Sequence, residues 1–360
     1  MKIGILTYYG VHNHGAVLQA NALKMVLHKM GYECGFLAFE RSYSNISATQ
    51  TNKYKFGLGS IPFYIKYFCD RGPGNILYNM KKRKSLNAFR TQHIPLVGTY
   101  KDFTGGLIVI GSDEVFSLEI GINPFLYGYG LNSKHVITYA ASFGPTTYLD
   151  VLQQGQKNMI SQGLGGMDAI SVRDQNSADI VKQVADIQAT LVCDPVILYG
   201  YHDEMNSFVP PLKNYILVYS YDKNLNDEIE YKPILDYADK HGLTVVSVGY
   251  YHKWCKSINA SPFELLGWIK NAKLVVTDTF HGAVMSIIGN TPAVLKLRNN
   301  QNKLAFLLSE YGLSDRTISS FGSFAQIADM PVDFTAVNTI LAEKRKHSLQ
   351  FLENALAKCQ

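Results

Sequence analysis

The sequence lacks the patterns that mark several common classes of protein. Its five cysteines are scattered, with no C-x-x-C pair, so no zinc site or redox motif is indicated and reduced cytosolic thiols are expected. No apolar stretch approaches the ~20 residues that cross a bilayer. The chain runs from Met1 straight into a strand-like segment, which predicts no signal peptide and a cytoplasmic location. A net charge of +5 is too small to indicate nucleic-acid binding.

Several enzyme signatures are also missing. The turn after the first apolar segment, residues 8–15, is not G-x-G-x-x-G, which disfavours a nicotinamide or flavin Rossmann site. The chain has no G-x-x-x-x-G-K-[ST], H-E-x-x-H or G-x-S-x-G motif, and no D-x-D for a metal-bound nucleotide sugar. P-loop enzymes, zinc proteases and serine hydrolases are therefore disfavoured.

Positive charge is concentrated in residues 41–104, which contain eleven Lys and Arg but only two Asp and no Glu. A basic run at 81–84 and an aromatic run at 61–68 both lie within this stretch. Two interpretations stay open. The stretch forms either a solvated helical face over a buried aromatic patch or a peripheral contact with an anionic membrane surface.

Apolar strand patterns alternate with helical patterns along the chain, which predicts an α/β protein with parallel sheets. A polar segment with two consecutive prolines, 199–214, predicts a linker. We expect an N-terminal domain at 1–205 with the basic insertion 41–104, a C-terminal domain at 212–330, and a C-terminal helix at 331–360 that packs back on the first domain. The predicted strands are 2–8, 35–39, 107–110, 136–141, 169–172, 191–193, 215–219, 244–248, 274–277 and 293–297, and the clearest predicted helices are 16–30 and 283–289.

Polar side chains cluster where these strands end. In open α/β sheets, ligands bind beyond the carboxyl ends of the strands, and two domains facing each other would bring several clusters to one cleft. The clusters are residues 13–15, Ser112 with Asp113, Ser142, Arg173, Asp194 and residues 278–282.

Six short segments give a more specific signal. They are Asn-His-Gly-Ala-Val-Leu-Gln at 13–19, Gly-Ser-Asp-Glu-Val-Phe at 111–116, Tyr-Ala-Ala-Ser-Phe-Gly at 139–144, Ser-Val-Arg-Asp at 171–174, Cys-Asp-Pro at 193–195 and Thr-Asp-Thr-Phe-His-Gly at 277–282. In this order they resemble the N-Y-G-A-x-L-Q, G-S-D-Q-V-W, Y-A-A-S-F-G, S-V-R-E, L-D-P and T-D-S-F-H-G motifs of the polysaccharide pyruvyl transferase family.

The resemblance implies two Rossmann-like domains that face a cleft, arranged as in GT-B glycosyltransferases. It also implies transfer of pyruvate from phosphoenolpyruvate onto two hydroxyls of a sugar in a bacterial-type surface polysaccharide or its lipid-linked precursor, leaving a cyclic ketal. No cofactor is then expected beyond this donor substrate, and no residue is assigned to a metal, while a requirement for a divalent metal stays open. A lipid-linked acceptor would favour the membrane contact through 41–104. Two alternatives stay open, a GT-B-like glycosyltransferase that uses a nucleotide sugar and a non-catalytic glycan-binding member.

The resemblance also assigns roles within the cleft. His281 is the expected general acid, because a pKa near neutrality allows a histidine to donate a proton. Arg173 is the expected phosphoenolpyruvate ligand, since its planar fork suits a carboxylate or a phosphate, and a surface salt bridge with Asp174 is the alternative. Asp113 is the second catalytic candidate. Asp194 either orients sugar hydroxyls or initiates a turn.

Two positions depart from the family pattern. Thr279 stands where some relatives carry Arg, so a second cation is expected from Lys303 or Lys296. His14 stands where the family usually has Tyr, which would tune the acceptor or add a proton carrier. The other expected substrate-binding residues are Asn13, Gly15, Ser112, Ser142, Phe143, Asp278, Phe280 and Gly282, with simple helix capping as the alternative for Asn13.

Overall fold

The computed structural model describes residues 1–40, 61–104, 106–298 and 301–360, without the side chains of 61–71 and 301–302. Its first sheet contains β1 (Lys2–Leu6), β2 (Glu33–Ala38), β3 (Leu96–Thr99), β4 (Leu107–Ile110) and β5 (His135–Thr138). The strands are parallel and lie in the order β3-β2-β1-β4-β5. All four residues of β4 are buried, so both faces of the sheet are covered.

A parallel pair, β6 (Ser171–Val172) and β7 (Thr190–Leu191), lies beside the first sheet. A bridge between Ile137 and Ala169 connects it to β5. The second sheet contains six parallel strands in the order β10-β9-β8-β11-β12-β13. They are β8 (Tyr215–Tyr219), β9 (Thr244–Val248), β10 (Lys256–Ile258), β11 (Leu274–Thr277), β12 (Ala293–Lys296) and β13 (Thr317–Ile318).

Side-chain caps define the helices that matter for the cleft. Asn13 Oδ1 accepts from Gly15 N at 2.9 Å and starts the first helix at His14, two residues earlier than predicted. Thr279 starts the helix after β11 in the same way. The helices are α1 (His14–Lys29), α2 (Ile61–His93), α3 (Tyr148–Gln153), α4 (Lys157–Gly165), α5 (Gln175–Ala185), α6 (Pro195–Tyr199), α7 (His202–Ser207), α8 (Glu228–His241), α9 (Pro262–Lys270), α10 (Phe280–Ile288), α11 (Gln301–Glu310), α12 (Phe324–Asp329) and α13 (Phe334–Lys358).

Helix α2 bends at Gly72, whose φ is 70°, and the part after the bend contacts the second half of the chain. Tyr78 OH donates to Ile258 O at 2.9 Å, and Asn259 Nδ2 donates to Tyr78 O at 3.1 Å. Lys82 is buried with Nζ 3.9 Å from the centre of the Tyr250 ring, so the prediction that residues 81–84 form one solvated or membrane-facing run is wrong for this lysine. The aromatic side chains predicted at 61–68 lie outside the described residues.

The predicted linker at 199–214 contains helix α7 and a buried anchor. Tyr201 is fully buried, and its hydroxyl donates to Leu18 O at 2.6 Å while accepting from Asn21 Nδ2 at 3.0 Å. Met205 of α7 is also buried. The polar composition of this segment predicts a linker, and its packing against α1 through Tyr201 orders it.

The long C-terminal helix α13 packs against the region around α6. Ser348 Oγ accepts from Cys193 N at 2.9 Å, and Arg345 Nε donates to Ile197 O at 2.6 Å. Across the described residues, no helix is both long enough and apolar enough to span a membrane.

Candidate active site

A cavity of about 260 Å³ lies between the two sheets. Its polar walls follow strand ends: Asp113 and Glu114 follow β4, Asp278 follows β11 and Arg298 follows β12. The carboxyl ends of both sheets therefore face each other across the cavity. The predicted site residues that line it are Asn13, Asp113, Asp278, Thr279, Phe280, His281 and Lys303.

Gly15 and His281 bring the first turns of α1 and α10 into contact. A Cβ atom at residue 15 would lie 2.3 Å from His281 Cγ, so this close approach requires glycine. Thr279 Oγ1 accepts from Gly282 N at 3.0 Å and caps the turn that contains His281. A Cβ at residue 282 would lie 2.1 Å from Thr277 Oγ1. Both glycines therefore shape the site without lining the cavity themselves.

Arg173 is held between two carboxylates. Its Nη1 donates to Asp194 Oδ2 at 3.0 Å, and its Nη2 donates to Asp113 Oδ1 at 2.9 Å. Asp174 instead caps helix α5, so the alternative of a salt bridge between Arg173 and Asp174 is wrong. The guanidinium also lies 4.3 Å from the centre of the Phe280 ring. Arg173 is thus buried directly behind the wall that Asp113 and Phe280 form.

Burial and neighbouring charges have opposite effects on the acids and bases of this cluster. Burial raises the pKa of Asp113, but the neighbouring positive charge, above all that of Arg173, outweighs this effect and the pKa is about 2. Burial lowers the pKa of Arg173, but the negative charges of Asp113 and Asp194 raise it by more than burial lowers it. The net pKa lies above the usual value, so Arg173 stays cationic. Burial lowers the pKa of His281 despite the opposing effect of Asp194 and Asp113. His281 is therefore neutral at pH 7 until further negative charge comes near it.

Two buried nitrogen atoms in this cluster, Arg173 Nε and His281 Nε2, have no hydrogen-bond partner in the described part of the chain. The distance from His281 Nε2 to Asp194 Oδ2 is 3.9 Å, too long for a hydrogen bond. Buried polar atoms in proteins are almost always paired. Of the two residues, His281 lines the cavity and Arg173 lies behind its wall, so His281 Nε2 is the atom nearer to a ligand in the cavity.

The two lysines predicted as the second cation lie in different places. Lys303 lines the cavity and forms an ion pair with Glu114. Lys296 donates to Ser319 O and is not part of the lining. Of the two, only Lys303 is positioned to act on a molecule in the cavity.

Arg298 also lines the cavity as a cation, and it was not among the residues predicted from the sequence. Its Nε donates to Asp278 Oδ2 at 2.6 Å, and its Nη2 donates to both carboxylate oxygens of Glu230 at 3.0 Å. Asp278 also accepts from Ser220 Oγ and Asn224 Nδ2, each at 2.7 Å. The Asp278 carboxylate is therefore fully engaged in holding the wall around Arg298. Because Arg298 comes directly after the predicted strand 293–297, the strand-end rule could have identified it from the sequence.

His14 is buried in the contact between the two halves of the chain. Its Nε2 lies 3.0 Å from Ala260 O, which makes this nitrogen the N–H donor. Burial, followed by the charge of Lys82, lowers the pKa of His14 to about 3. His14 is therefore neutral over the physiological range and does not line the cavity, and both observations contradict its predicted role as a proton carrier.

Three predicted substrate-binding residues are buried away from the cavity. Ser142 Oγ donates to Asp174 Oδ2 at 2.6 Å, and Ser112 Oγ bonds to Gln19 Oε1 at 2.5 Å. Phe143 is fully buried and packs against the Phe116 ring. The prediction that Ser112, Ser142 and Phe143 line the cleft is wrong, because their motifs support the wall from behind.

Aromatic side chains form much of the remaining wall. Tyr8, Tyr219, Tyr221 and Tyr250 line the cavity, and the Tyr250 ring contacts those of Tyr219 and Tyr221 at centroid distances of 5.0 Å and 5.3 Å. Tyr221 is the most exposed of the last three, at 39%. Tyr219 ends β8 and the other three follow strand ends, a signal that could have identified each of them from the sequence.

One compact group of metal-ligating side chains occurs among the residues that the structure describes, namely His135, Asp168 and Cys359. His135 begins β5, and Asp168 precedes β6, so the group lies at the amino ends of these strands. The cavity lies at the carboxyl ends. This group is therefore separate from the cavity.

Comparison with known proteins identifies a matching family model and solved structures of similar fold. The family model described as polysaccharide pyruvyl transferase matches residues 13–299. No curated protein sequence matches the chain. UDP-N-acetylglucosamine 2-epimerase from Rickettsia bellii is similar in structure with a TM-score of 0.51 at 9% identity, over 99% of this chain and 95% of that chain. Arabidopsis thaliana UGT89C1 complexed with UDP-L-rhamnose gives a TM-score of 0.51 at 8% identity, over 100% and 99%. At such identities the likeness shows the fold alone, two Rossmann-like domains in a GT-B-like arrangement.

Proposed function

The chain belongs to the polysaccharide pyruvyl transferase family, and from this premise we propose that it transfers pyruvate from phosphoenolpyruvate to two hydroxyls of a sugar, giving a cyclic ketal. The acceptor is a surface polysaccharide or its lipid-linked precursor. The observation that supports this proposal best is the cluster of Arg173 and His281 beside a cavity between the two sheets, where each has a buried nitrogen that no atom of the described residues bonds.

Phosphoenolpyruvate carries a carboxylate and a phosphate, so its site needs fixed cations and N–H donors. Arg173 is fixed by Asp113 and Asp194, which prevents its guanidinium from reorienting. Lys303 lines the cavity and Arg173 lies directly behind its wall, and both place positive charge at this end of the cavity. The first turn of α10, which contains His281, adds the positive end of a helix dipole.

The bound donor would also prepare the general acid. His281 is neutral in the free protein because burial lowers its pKa. The negative charge of phosphoenolpyruvate raises that pKa, so the donor brings a proton onto His281 as it binds. The acid is therefore charged only when its substrate is present, which avoids an uncompensated buried cation.

The reaction then proceeds in two bond-forming steps. His281 gives its proton to the methylene carbon of phosphoenolpyruvate, and a sugar hydroxyl attacks C2, which has become electron-poor. The second hydroxyl attacks the same carbon, and the C2–O bond to phosphate breaks. Of the two protons that the hydroxyls lose, one restores the proton that His281 gave away, and the other leaves with the inorganic phosphate. Asp113 and Glu114 line the wall where they accept hydrogen bonds from these hydroxyls, and the tyrosine wall stacks against the sugar.

Direct assay tests this proposal. The purified protein is incubated with phosphoenolpyruvate and a panel of free and lipid-linked glycans, and both inorganic phosphate and the mass of a pyruvate ketal are measured. We expect both products with wild type and with Lys296→Met, and neither with His281→Gln. If no acceptor in a broad panel yields phosphate, the proposal fails. A thermal-shift comparison separates the alternative, because a nucleotide-sugar enzyme would be stabilised by UDP-sugars and not by phosphoenolpyruvate.

A further inference from the structure

The end of helix α13 meets the first sheet at three side chains of types that bind metal ions. His135 begins β5, Asp168 precedes β6, and Cys359 directly follows α13. One imidazole nitrogen, one carboxylate oxygen and the Cys359 sulfur lie within 4.8 Å of one another. The three residues come from separate segments of the chain, so no short ligand spacing in the sequence indicates this group.

Backbone hydrogen bonds fix the position of Asp168. Its N–H donates to Val136 O at 2.8 Å, and its Oδ2 accepts from Val136 N at 2.9 Å. The other oxygen, Oδ1, lies 3.2 Å from His135 Nδ1. A proton is shared between these two atoms, and a divalent cation that binds there takes its place. The side chains of His135 and Asp168 are 18% and 30% exposed, so an ion reaches them from solvent.

Cys359 closes the inner side of the group. It is buried, and its Sγ donates to Ala355 O at 3.2 Å, within the last turn of α13. A thiol is a weak hydrogen-bond donor, so a bond from the thiolate to a metal more than replaces this contact. Earlier along the helix, Ser348 and Arg345 hold α13 against the region around α6. A metal ion at Cys359 therefore adds an attachment at the end of the helix.

The donor set of one nitrogen, one oxygen and one sulfur fits zinc. Zn²⁺ binds all three at about 2.0–2.3 Å in tetrahedral geometry, which separates neighbouring donor atoms by roughly 3–4 Å. His135 Nδ1 and Asp168 Oδ1 already have this separation. Mg²⁺ and Ca²⁺ prefer oxygen ligands, so a thiolate disfavours both. Three protein ligands leave the fourth position of the tetrahedron to water.

We propose that His135, Asp168 and Cys359 bind one Zn²⁺ and that the ion fastens the end of α13 to the first domain. The Cys359 thiol gives its proton to solvent as its sulfur bonds the metal, the imidazole carries its remaining proton on Nε2, and no electron is transferred. The group lies at the amino ends of β5 and β6, away from the cavity. This inference therefore does not rest on the proposed function.

Cobalt binding tests the site directly, because Co²⁺ occupies zinc sites and its spectrum reports the ligands. Reduced, chelator-treated wild type is titrated with Co²⁺. We expect a thiolate-to-cobalt charge-transfer band and the visible bands of tetrahedral cobalt, and both should disappear when Zn²⁺ is added. Cys34→Ser should keep the charge-transfer band, and Cys359→Ser should lose it. No band with wild type, or the same band in Cys359→Ser, overturns the proposal.

Replacement of Asp168 weakens the site while keeping its backbone contact, because the amide oxygen of Asp168→Asn can still accept from Val136 N. We expect the zinc affinity of this variant, measured by competition with a chelator, to fall about tenfold or more. Asp203→Asn is the matched control, since Asp203 also lies beside a histidine, His202, but in an exposed pair outside the group. It should bind zinc like wild type. Equal zinc affinity of both variants and wild type contradicts the site.

Hydrogen exchange and heat unfolding test the link to α13. An ion that binds only the folded protein raises its unfolding temperature. We expect Zn²⁺ to raise the Tm of wild type and to slow amide exchange in the last turns of α13, with neither effect in Cys359→Ser. If zinc binds wild type but leaves exchange at the end of α13 unchanged, the ion does not fasten the helix and that part of the proposal is overturned.

Discussion

Asp194, in the first half of the chain, has its Oδ2 atom 3.9 Å from Nε2 of His281, in the second half. The same oxygen accepts from Arg173 Nη1, and the other carboxylate oxygen caps α6 by accepting from Val196 N at 2.9 Å. One carboxylate therefore fixes Arg173 and places a negative charge beside the proposed general acid. The pKa of His281, in the second domain, therefore depends on a carboxylate of the first domain.

Removing that charge should move the pH profile. Burial lowers the pKa of His281, and Asp194 opposes the effect, so Asp194→Asn should lower the pKa of His281 further. A general acid is active while protonated, and its activity falls as pH rises through its pKa. We expect the alkaline limb of the kcat/KM profile for phosphate release to shift to lower pH. An unchanged limb would contradict the role of Asp194.

The contact between Gly15 and His281 predicts a steric effect. Gly15→Ala places a methyl group 2.3 Å from His281 Cγ, so His281 must move. We expect a loss of about 1–3 kcal/mol in the free energy of unfolding and a marked fall in turnover. Gly10→Ala is the matched control, because a Cβ there meets no atom within 4 Å. Denaturant unfolding and phosphate-release assays check both variants, and equal behaviour would refute the account.

Buried His14 predicts an acid-dependent stability. Burial holds its folded pKa at about 3, below the unfolded value of 6.5, so the unfolded chain binds a proton first as pH falls. Its contribution is complete above pH 6.5 and is lost progressively between pH 6.5 and 3. From pH 7 to pH 5, wild type should lose about 2 kcal/mol more stability than His14→Gln, whose amide can still donate to Ala260 O. Urea unfolding at both pH values measures this difference, and an equal loss in both proteins would refute it.

Substitutions of Lys303 and Lys296 compare a cation in the cavity lining with one outside it. Lys303→Met removes a cation from the cavity lining, and we expect the KM for phosphoenolpyruvate to rise about tenfold. Lys296→Met removes the same charge outside the lining and should leave KM unchanged. Initial-rate kinetics of both variants decide the point. A larger effect at Lys296 would show that the second cation was assigned to the wrong residue.

The sequence predicted the strands well where burial alone determines them. The bounds of β4, β8, β9 and β11 match because these are short, mainly apolar runs whose residues are buried, apart from Thr244 at the start of β9. The predicted strand 136–141 stops at Thr138 instead, since Ala140 has a φ of 51°, which an extended strand does not allow. No local sequence pattern predicts the positive φ of Ala140.

Site residues could be predicted from the sequence where they follow a predicted strand or belong to one of the six motifs. These signals identified Asp113 and His281, which line the cavity. They also identified Ser142 and Phe143, whose side chains are buried behind the wall and contact Asp174 and Phe116. The burial of Lys82 could not be predicted, because its partner Tyr250 is far away in the sequence. A charged run suggests a solvated surface until the tertiary contact is known.

The most direct test of the central claim follows the donor carbon itself. Phosphoenolpyruvate labelled with ¹³C at C2 is incubated with the protein and an acceptor panel, and ¹³C NMR and phosphate release are recorded together. We predict a new quaternary ketal carbon attached to sugar, formed in equal amount with inorganic phosphate and absent with His281→Gln. Label that stays in phosphoenolpyruvate with every acceptor, or sugar transfer from a UDP-sugar instead, would contradict the account.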